Sequence, residues 1–312
     1  MGIEAHCYPD ICSRRNALKL LIPDNQHGLT LALQQEVAPR HDVDLWLAEG
    51  LSDALNYLNE HRADALVIPP LVHPERLPLT VIEQHIVLVE TLLASCQRLD
   101  MMLVWCVGHQ LFEQDHEHLL SEEEEPQPLA AALQKLADLE ASVRQQWHRH
   151  IIIRTSVLFG HEGHGMVLPE QLAHWLAGES VTADDHLFAA PLPVDALARA
   201  VVGLILQLDN GADGWGIYHL SGREPVSQYE FTEATLACLR QLAAPEVILE
   251  LPSTPILIEG YERTVRRILG CQKILMTFGI HQTEWRQPLE MHVQSWLSQH
   301  DIPMVDNETA SS

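Results

Sequence analysis

Apolar and polar positions alternate along this chain in blocks that switch between strand and helix periods. Leu18–Ile22 (LKLLI) is a short apolar run fit for a buried strand, and Leu29–Val37 fits the helix that follows it. Asp42–Leu47 repeats the strand signal. Ser52–Arg62 has helical spacing at Leu55 and Leu58, with Ser52 as its expected N-cap. Asp64–Ile68 and Met101–Val107 read as further buried strands on either side of a long helix, Leu79–Arg98. Around Lys135, the residues Leu136, Leu139 and Val143 share one helical face, and Ile151–Ile153 is a β-branched run suited to a strand covered on both sides. Arg154, Thr155 and Ser156 then place polar groups just past that strand, where open α/β sheets bind ligands. Leu168–Leu176, Val194–Leu208, Gln228–Leu242 and Glu284–Gln299 read as later helices, and Ile217–Leu220 as a strand. Ser227 with Glu230 three residues on forms an N-terminal capping box for the third of these helices. Such alternation predicts an α/β fold: a Rossmann-like, doubly wound parallel sheet.

Composition narrows the partners. The 312 residues carry a formal charge of −24, with lysine confined to Lys19, Lys135 and Lys273. That excludes nucleic acid and anionic membranes, which need clustered cations. No apolar run of about 20 residues marks a membrane span, and the first residues hold no apolar signal core, so a cytoplasmic location is expected. Cys7, Cys12, Cys96, Cys106, Cys238 and Cys271 are scattered and read as free thiols, most of them buried.

Three polar stretches invite chemistry. The Glu122–Glu125 run reads as a solvated loop, because consecutive carboxylates point in different directions. His161, Glu162 and His164 form H-E-x-H, not the H-E-x-x-H that places two histidines one helical turn apart, so no metal is expected there. Lys135 reads as a helix lysine free to pair with an acid such as Glu162, and Arg154 as an ion-paired arginine at a strand end.

The run from Lys135 to Gly160 resembles the extended short-chain dehydrogenase/reductases, in their dTDP-4-dehydrorhamnose reductase-like, sugar-nucleotide-binding branch. There a helix reading K-L-A-x-E precedes a strand reading I-x-R-T-S-x-x-x-G. Gly216–Phe231 and Ile268–Leu289 agree with the same family, and the resemblance spans roughly Leu18 to Leu297. It implies NAD(P) as cofactor, a nucleotide-linked sugar as ligand, and a smaller C-terminal substrate-type domain. The expected division is a flexible lead-in at 1–16, a Rossmann-like domain at 17–160 with a returning segment at 194–220, a substrate-type domain from 161–193 and 221–300, and a disordered tail at 301–312.

At the family's chemical positions the chain departs from the pattern. The three glycines of the phosphate-binding turn are replaced by Asp24, His27 and Thr30, with Gly28 one place out of register. Pro69 and Pro70 stand where small residues flank the cofactor, and His85 stands at an asparagine position. Val107–Phe112 replaces S-T-D-x-V-F without a hydroxyl. Lys135 fits the catalytic lysine, but Ala131 occupies the tyrosine position four residues earlier, and no tyrosine lies between Tyr57 and Tyr218. Two readings follow. One is a non-catalytic member that binds, regulates or scaffolds, with a protein partner or a second copy of itself. The family holds a parallel in the regulatory β-subunit of methionine adenosyltransferase. The other is an NAD(P)H-dependent reductase or epimerase with an atypical site, drawing on Lys135 and on His109 as acid. In either, Gly28, Lys135 and Arg154 are the candidates for cofactor contact.

Overall fold

The computed structural model describes residues 17–305 apart from 114, 116, 117, 250, 259 and 261. The expected lead-in with Cys7 and Cys12, and most of the expected tail, lie outside the described residues. β1 (Leu18–Ile22), α1 (Gly28–Val37), β2 (Val43–Leu47), α2 (Leu51–Glu60) and β3 (Ala65–Ile68) open the chain. α3 (Leu79–Leu99), β4 (Met102–Gly108), α4 (Ala131–Gln146) and β5 (His150–Thr155) continue it. The second half is more broken, with β6 (Leu158–Phe159), α5 (Val167–Leu176), β7 (Thr182–Asp184), β8 (Leu187–Ala189), β9 (Leu192–Pro193), α6 (Val194–Asp209) and β10 (Gly216–Leu220). β11 (Val226–Ser227), α7 (Gln228–Leu242), α8 (Pro245–Ile248), β12 (Ile256–Ile258), β13 (Val265–Arg266), α9 (Gln272–Phe278) and α10 (Arg286–Gln299) complete it.

Six strands form one parallel sheet in the order β10-β5-β4-β3-β1-β2. The chain leaves β1 toward β2 and then crosses back to β3 on the other side. The crevice beyond the carboxyl ends of β1 and β3 is therefore the switch point where such sheets hold ligands. Leu20, Ile22, Leu33, Val201 and Ile205 pack one face under α1 and α6, while Leu21, Leu66, Leu92, Leu103 and Leu136 pack the other under α2, α3 and α4. A third core of Phe159, Trp175, Phe231, Trp285 and Trp296 joins α5, α7 and α10. α3, 21 residues long with an 18-residue stretch of mean hydropathy 1.4, meets the length and apolarity of a membrane span, which inspection of apolar runs does not reveal. It instead buries Ile82, Val89, Leu92 and Cys96 in the α/β core.

Local chemistry explains the boundaries. Ser227 accepts from the Glu230 amide at 3.1 Å, and the Glu230 carboxylate accepts from the Ser227 amide at 3.2 Å, as the sequence foretells. Ser227 also donates to Asp185 at 2.9 Å. Ser227→Ala should therefore cost about 1 kcal/mol, read as a lower urea midpoint with unchanged slope. Ser52 does not cap α2. The helix begins at Leu51, after Gly50 turns the chain at φ 156°, a conformation only glycine adopts readily. Arg154 and Thr155 lie inside β5 rather than past it. Cys96, Cys106 and Cys271 are free and buried, and burial pushes the Cys96 and Cys106 thiols up to about 12.

The acidic run is not merely solvated. Glu122 accepts from the His219 amide at 3.2 Å, and the Glu124 carbonyl accepts from Arg154 Nη1 at 2.9 Å. Lys273 Nζ, from α9, donates to the Ile217 carbonyl at 2.8 Å. The Glu122 and Lys273 contacts fall on the outer edge of β10, whose other edge is paired with β5.

Candidate functional site

A cleft of about 680 Å³ opens at the switch point, lined by the residues after β1, β2 and β3. In a dinucleotide site the amides at the start of α1 face the pyrophosphate. Here this protein supplies its own acceptors. Asp24 Oδ1 accepts from the Gln26 and His27 amides at 3.0 and 3.1 Å. His27 Nδ1 accepts from the Leu29 amide at 3.0 Å, capping the helix. The Gly28 amide donates to the His164 carbonyl at 3.0 Å, and the Thr30 amide to the His27 carbonyl at 2.8 Å. Burial pushes His27 down to about 4, with Asp24 opposing, so its ring is neutral at pH 7 and Nδ1 keeps its lone pair.

The segment after β6 seals this turn. The His164 amide donates to the Gln26 carbonyl at 3.1 Å, His164 Nε2 lies 3.2 Å from Asp24, and Gln35 donates to Glu162 at 2.6 Å. A Cβ on Gly163 would fall 2.6 Å from the Gly28 Cα, and one on Gly28 would fall 2.5 Å from Met166 Cγ. The missing side chain of Gly28 thus permits the approach of residues 161–166. His161 turns elsewhere, its Nδ1 2.9 Å from His292 Nδ1. The members of the H-E-x-H stretch go to three different partners, and among the described residues no group of three ligating side chains converges on a metal position.

A second cavity, about 310 Å³, lies between the end of β4 and the C-terminal segments. Its lining includes the polar side chains of His109, Gln110, Gln171 and Gln228, the cations Arg76 and Arg267, and the carboxylates Glu75, Glu113 and Asp184. His109 is buried with Nδ1 3.4 Å from the Arg267 carbonyl; burial foremost, then the Arg267 charge, pushes it down to about 4. Gln171 donates to Thr232 at 3.1 Å, while its buried Oε1 has no hydrogen-bond partner. A narrow neck shares His27, Pro70 and Val72 with the first cleft and Gln110 and Val167 with the second.

The other candidates stand apart from these cavities. Lys135 Nζ pairs with Glu83 of α3 at 2.9 Å on the exposed side of α4, not with Glu162, and lines neither cleft. Arg154 is fully buried: Nη2 and Nε bond Glu140 at 2.5 and 3.2 Å, and Nη1 lies 3.3 Å from His219 Nε2. Its guanidinium also covers the Phe112 ring at 5.1 Å. With every nitrogen committed inside, Arg154 organises the sheet and offers nothing to either cleft. Glu140 lies five residues after Lys135, one place beyond the acid of K-L-A-x-E. The contacts of Asp24 with His164, and the unpartnered Oε1 of Gln171, carry no local sequence signal.

No curated protein sequence matches this chain. Among solved structures, it is similar to a dTDP-4-dehydrorhamnose reductase from Clostridium acetobutylicum, with TM-score 0.71, 16% identity, and coverage of 89% of this chain and 99% of that one. A Bacillus anthracis dTDP-4-dehydrorhamnose reductase in complex with NADP gives 0.69 at 16% identity, covering 90% and 99%. The Bordetella bronchiseptica enzyme WbmH in complex with NAD+ gives 0.71 at 14%, covering 91% and 100%. At such identities these likenesses show the fold. The family described as RmlD substrate binding domain matches residues 84–297, more than half of the sequence. The chain belongs to this RmlD substrate binding domain family.

Proposed function

We propose that this protein is a member of its family without hydride transfer, acting as a binding or regulatory protein whose retained ligand cavity is the one around His109 and Gln171. The observation that carries this reading is the self-satisfied turn: Asp24, His27 and the His164 carbonyl take the amides a pyrophosphate would need. The residues present do not fit a dinucleotide. Unit charges 4 Å apart near a protein surface repel by about 4 kcal/mol, so a phosphate beside Asp24 loses roughly three orders of magnitude in affinity. The site also lacks a proton donor of the family's kind. His109, held near 4, is uncharged at neutral pH and has no proton of suitable acidity to give, and Lys135 is bound to Glu83.

A nucleotide-linked sugar, the ligand class named for several structural neighbours, is the ligand proposed for the second cavity. Titration calorimetry with NADH and NADPH, beside thermal-shift scans, tests the reading. The expected result is no binding heat and no shift at millimolar cofactor, whereas a ligand at 100 times its dissociation constant stabilises a folded protein by about 2.7 kcal/mol. Micromolar binding would overturn the proposal and favour a reductase with an atypical acid.

A further inference from the structure

Among the described residues, β12 is an apolar sheet edge that neither a neighbouring strand nor a charge of its own protects. We infer that it is a docking edge for another protein. The occupant is an extended segment, apolar along its length and cationic at its ends, added as a third strand beside β12 and β7. The inference goes beyond the reading above and does not depend on it, since it uses no residue of the turn after β1 or of the segment that seals it.

Three observations define the surface and its occupant. The first is burial. A surface strand turns alternate side chains to the core and to water, so one face is normally covered. Ile256, Leu257 and Ile258 are instead 48, 53 and 40% exposed, which leaves apolar groups of both faces in water. The second is pairing. β12 runs parallel to β7, with Ile256 opposite Thr182 and Ile258 opposite Asp184, in a sheet of these two strands. The Ile256 amide donates to the Val181 carbonyl at 2.9 Å, and Asp184 accepts from the Gly260 amide at 2.7 Å. Backbone groups alternate in direction along a strand, so the Leu257 amide and carbonyl face the open edge. The edge strands of the large sheet differ: β2 carries Asp44, and the margin of β10 is covered by Glu122 and Lys273. An uncharged strand with free backbone groups and exposed apolar side chains is the kind of edge on which an incoming segment adds. The third is charge, which selects the occupant. Glu179 and Asp185 bracket β7 and Glu262 follows β12, all exposed, with one exposed cation, Arg263, next to Glu262 in sequence. A second copy would bring the same acids and a charge of −24 to meet them, which is repulsive. Lysines or arginines at the ends of an incoming segment would be attracted. Ile258 and Gly260 also line the second cavity, so a docked segment passes beside its rim.

The probe is a fluorescently labelled peptide of alternating valine and threonine with lysines at both ends, titrated against the full chain by fluorescence polarisation. It should bind with a dissociation constant on the order of 100 μM, as a short strand addition does. Glutamates in place of its lysines should weaken binding by about tenfold. N-methylation of its central amides should abolish binding, because the peptide then has no donors for β12. Leu257→Pro removes the outward N–H while sparing the bonds to β7, a place where edge strands accept proline, and should also abolish binding with the melting temperature little changed. If that variant fails to fold, hydrogen exchange on the unaltered protein decides, since the peptide should slow exchange at the Leu257 amide. An absence of binding at millimolar peptide would overturn the inference, as would binding that leaves Leu257 exchange untouched. Sedimentation of the chain alone should show a monomer at this edge; a dimer that Leu257→Pro dissolves would replace the foreign partner with a second copy. NADH binding would remove the reading above and leave this inference standing.

Discussion

Glu140→Ala is expected to destabilise this protein by about 3–5 kcal/mol and to lower its melting temperature by roughly 10 °C. Both partners of the Arg154–Glu140 pair are 1% exposed at their side chains. Removing the carboxylate leaves a guanidinium in the interior, where desolvation of an unpaired ion costs several kcal/mol. What remains around it is neutral: the Glu124 carbonyl, a His219 ring and the face of Phe112. His219 cannot help by changing charge, because burial and then the Arg154 charge itself push it down to about 3. The ring instead accepts from Arg154 at Nε2 and donates from Nδ1 to the Leu120 carbonyl at 3.1 Å. Replacing both partners with apolar residues of similar size, Glu140→Leu with Arg154→Met, should recover most of the loss. Urea denaturation of the two single variants and the double one checks this. A loss under 1 kcal/mol for Glu140→Ala would show that the interior tolerates the bare charge.

The second large effect is acid lability. His27 and His109 are held at about 4, and His219 at about 3, against an ordinary value of 6.5, in each case mainly by burial. A lowered native value means that the folded state refuses a proton which the unfolded chain accepts. These groups therefore leave stability unaffected above about pH 7. Stability falls as the pH drops from 6.5 toward 4, and the His219 contribution continues falling toward 3. Each costs about 2 kcal/mol by pH 4.5, or roughly 6 kcal/mol together, a large part of an ordinary domain's stability. Urea midpoints measured from pH 7.5 down to 4.5 should decline steeply in the lower half of that range. His85, also pushed down to about 4 by burial, adds a fourth such group, so a His109→Gln variant should remove about a quarter of the slope. A midpoint that stays constant between pH 7 and 5 would refute the account.

What the sequence revealed depended on the range of the interaction. Periodicity located the strands and helices of the parallel sheet to within a few residues, because each buries a face whose spacing is local. The capping box at Ser227 was equally legible, since both partners lie within one turn. Strands of two or three residues, such as β11 and β13, are too short to show a period. The loss of glycines in the turn after β1 was visible, but not its replacement. Asp24 meets His164 across 140 positions, and Arg154 meets the Glu124 carbonyl across 30. Lys135 was visible as a helix lysine, while its partner Glu83 was set by how α3 packs on α4.

The covered margin of β10 bears on how this protein keeps to itself. An open strand at the end of a sheet is a template on which another chain can add a strand and begin an aggregate. Here an incoming strand would first have to strip the Glu122 carboxylate from the His219 amide and the Lys273 ammonium from the Ile217 carbonyl. One of only three lysines in the sequence is committed to that margin. Substituting Glu122 and Lys273 would thus leave both clefts in place while opening the β10 margin of the sheet to extension by a neighbour.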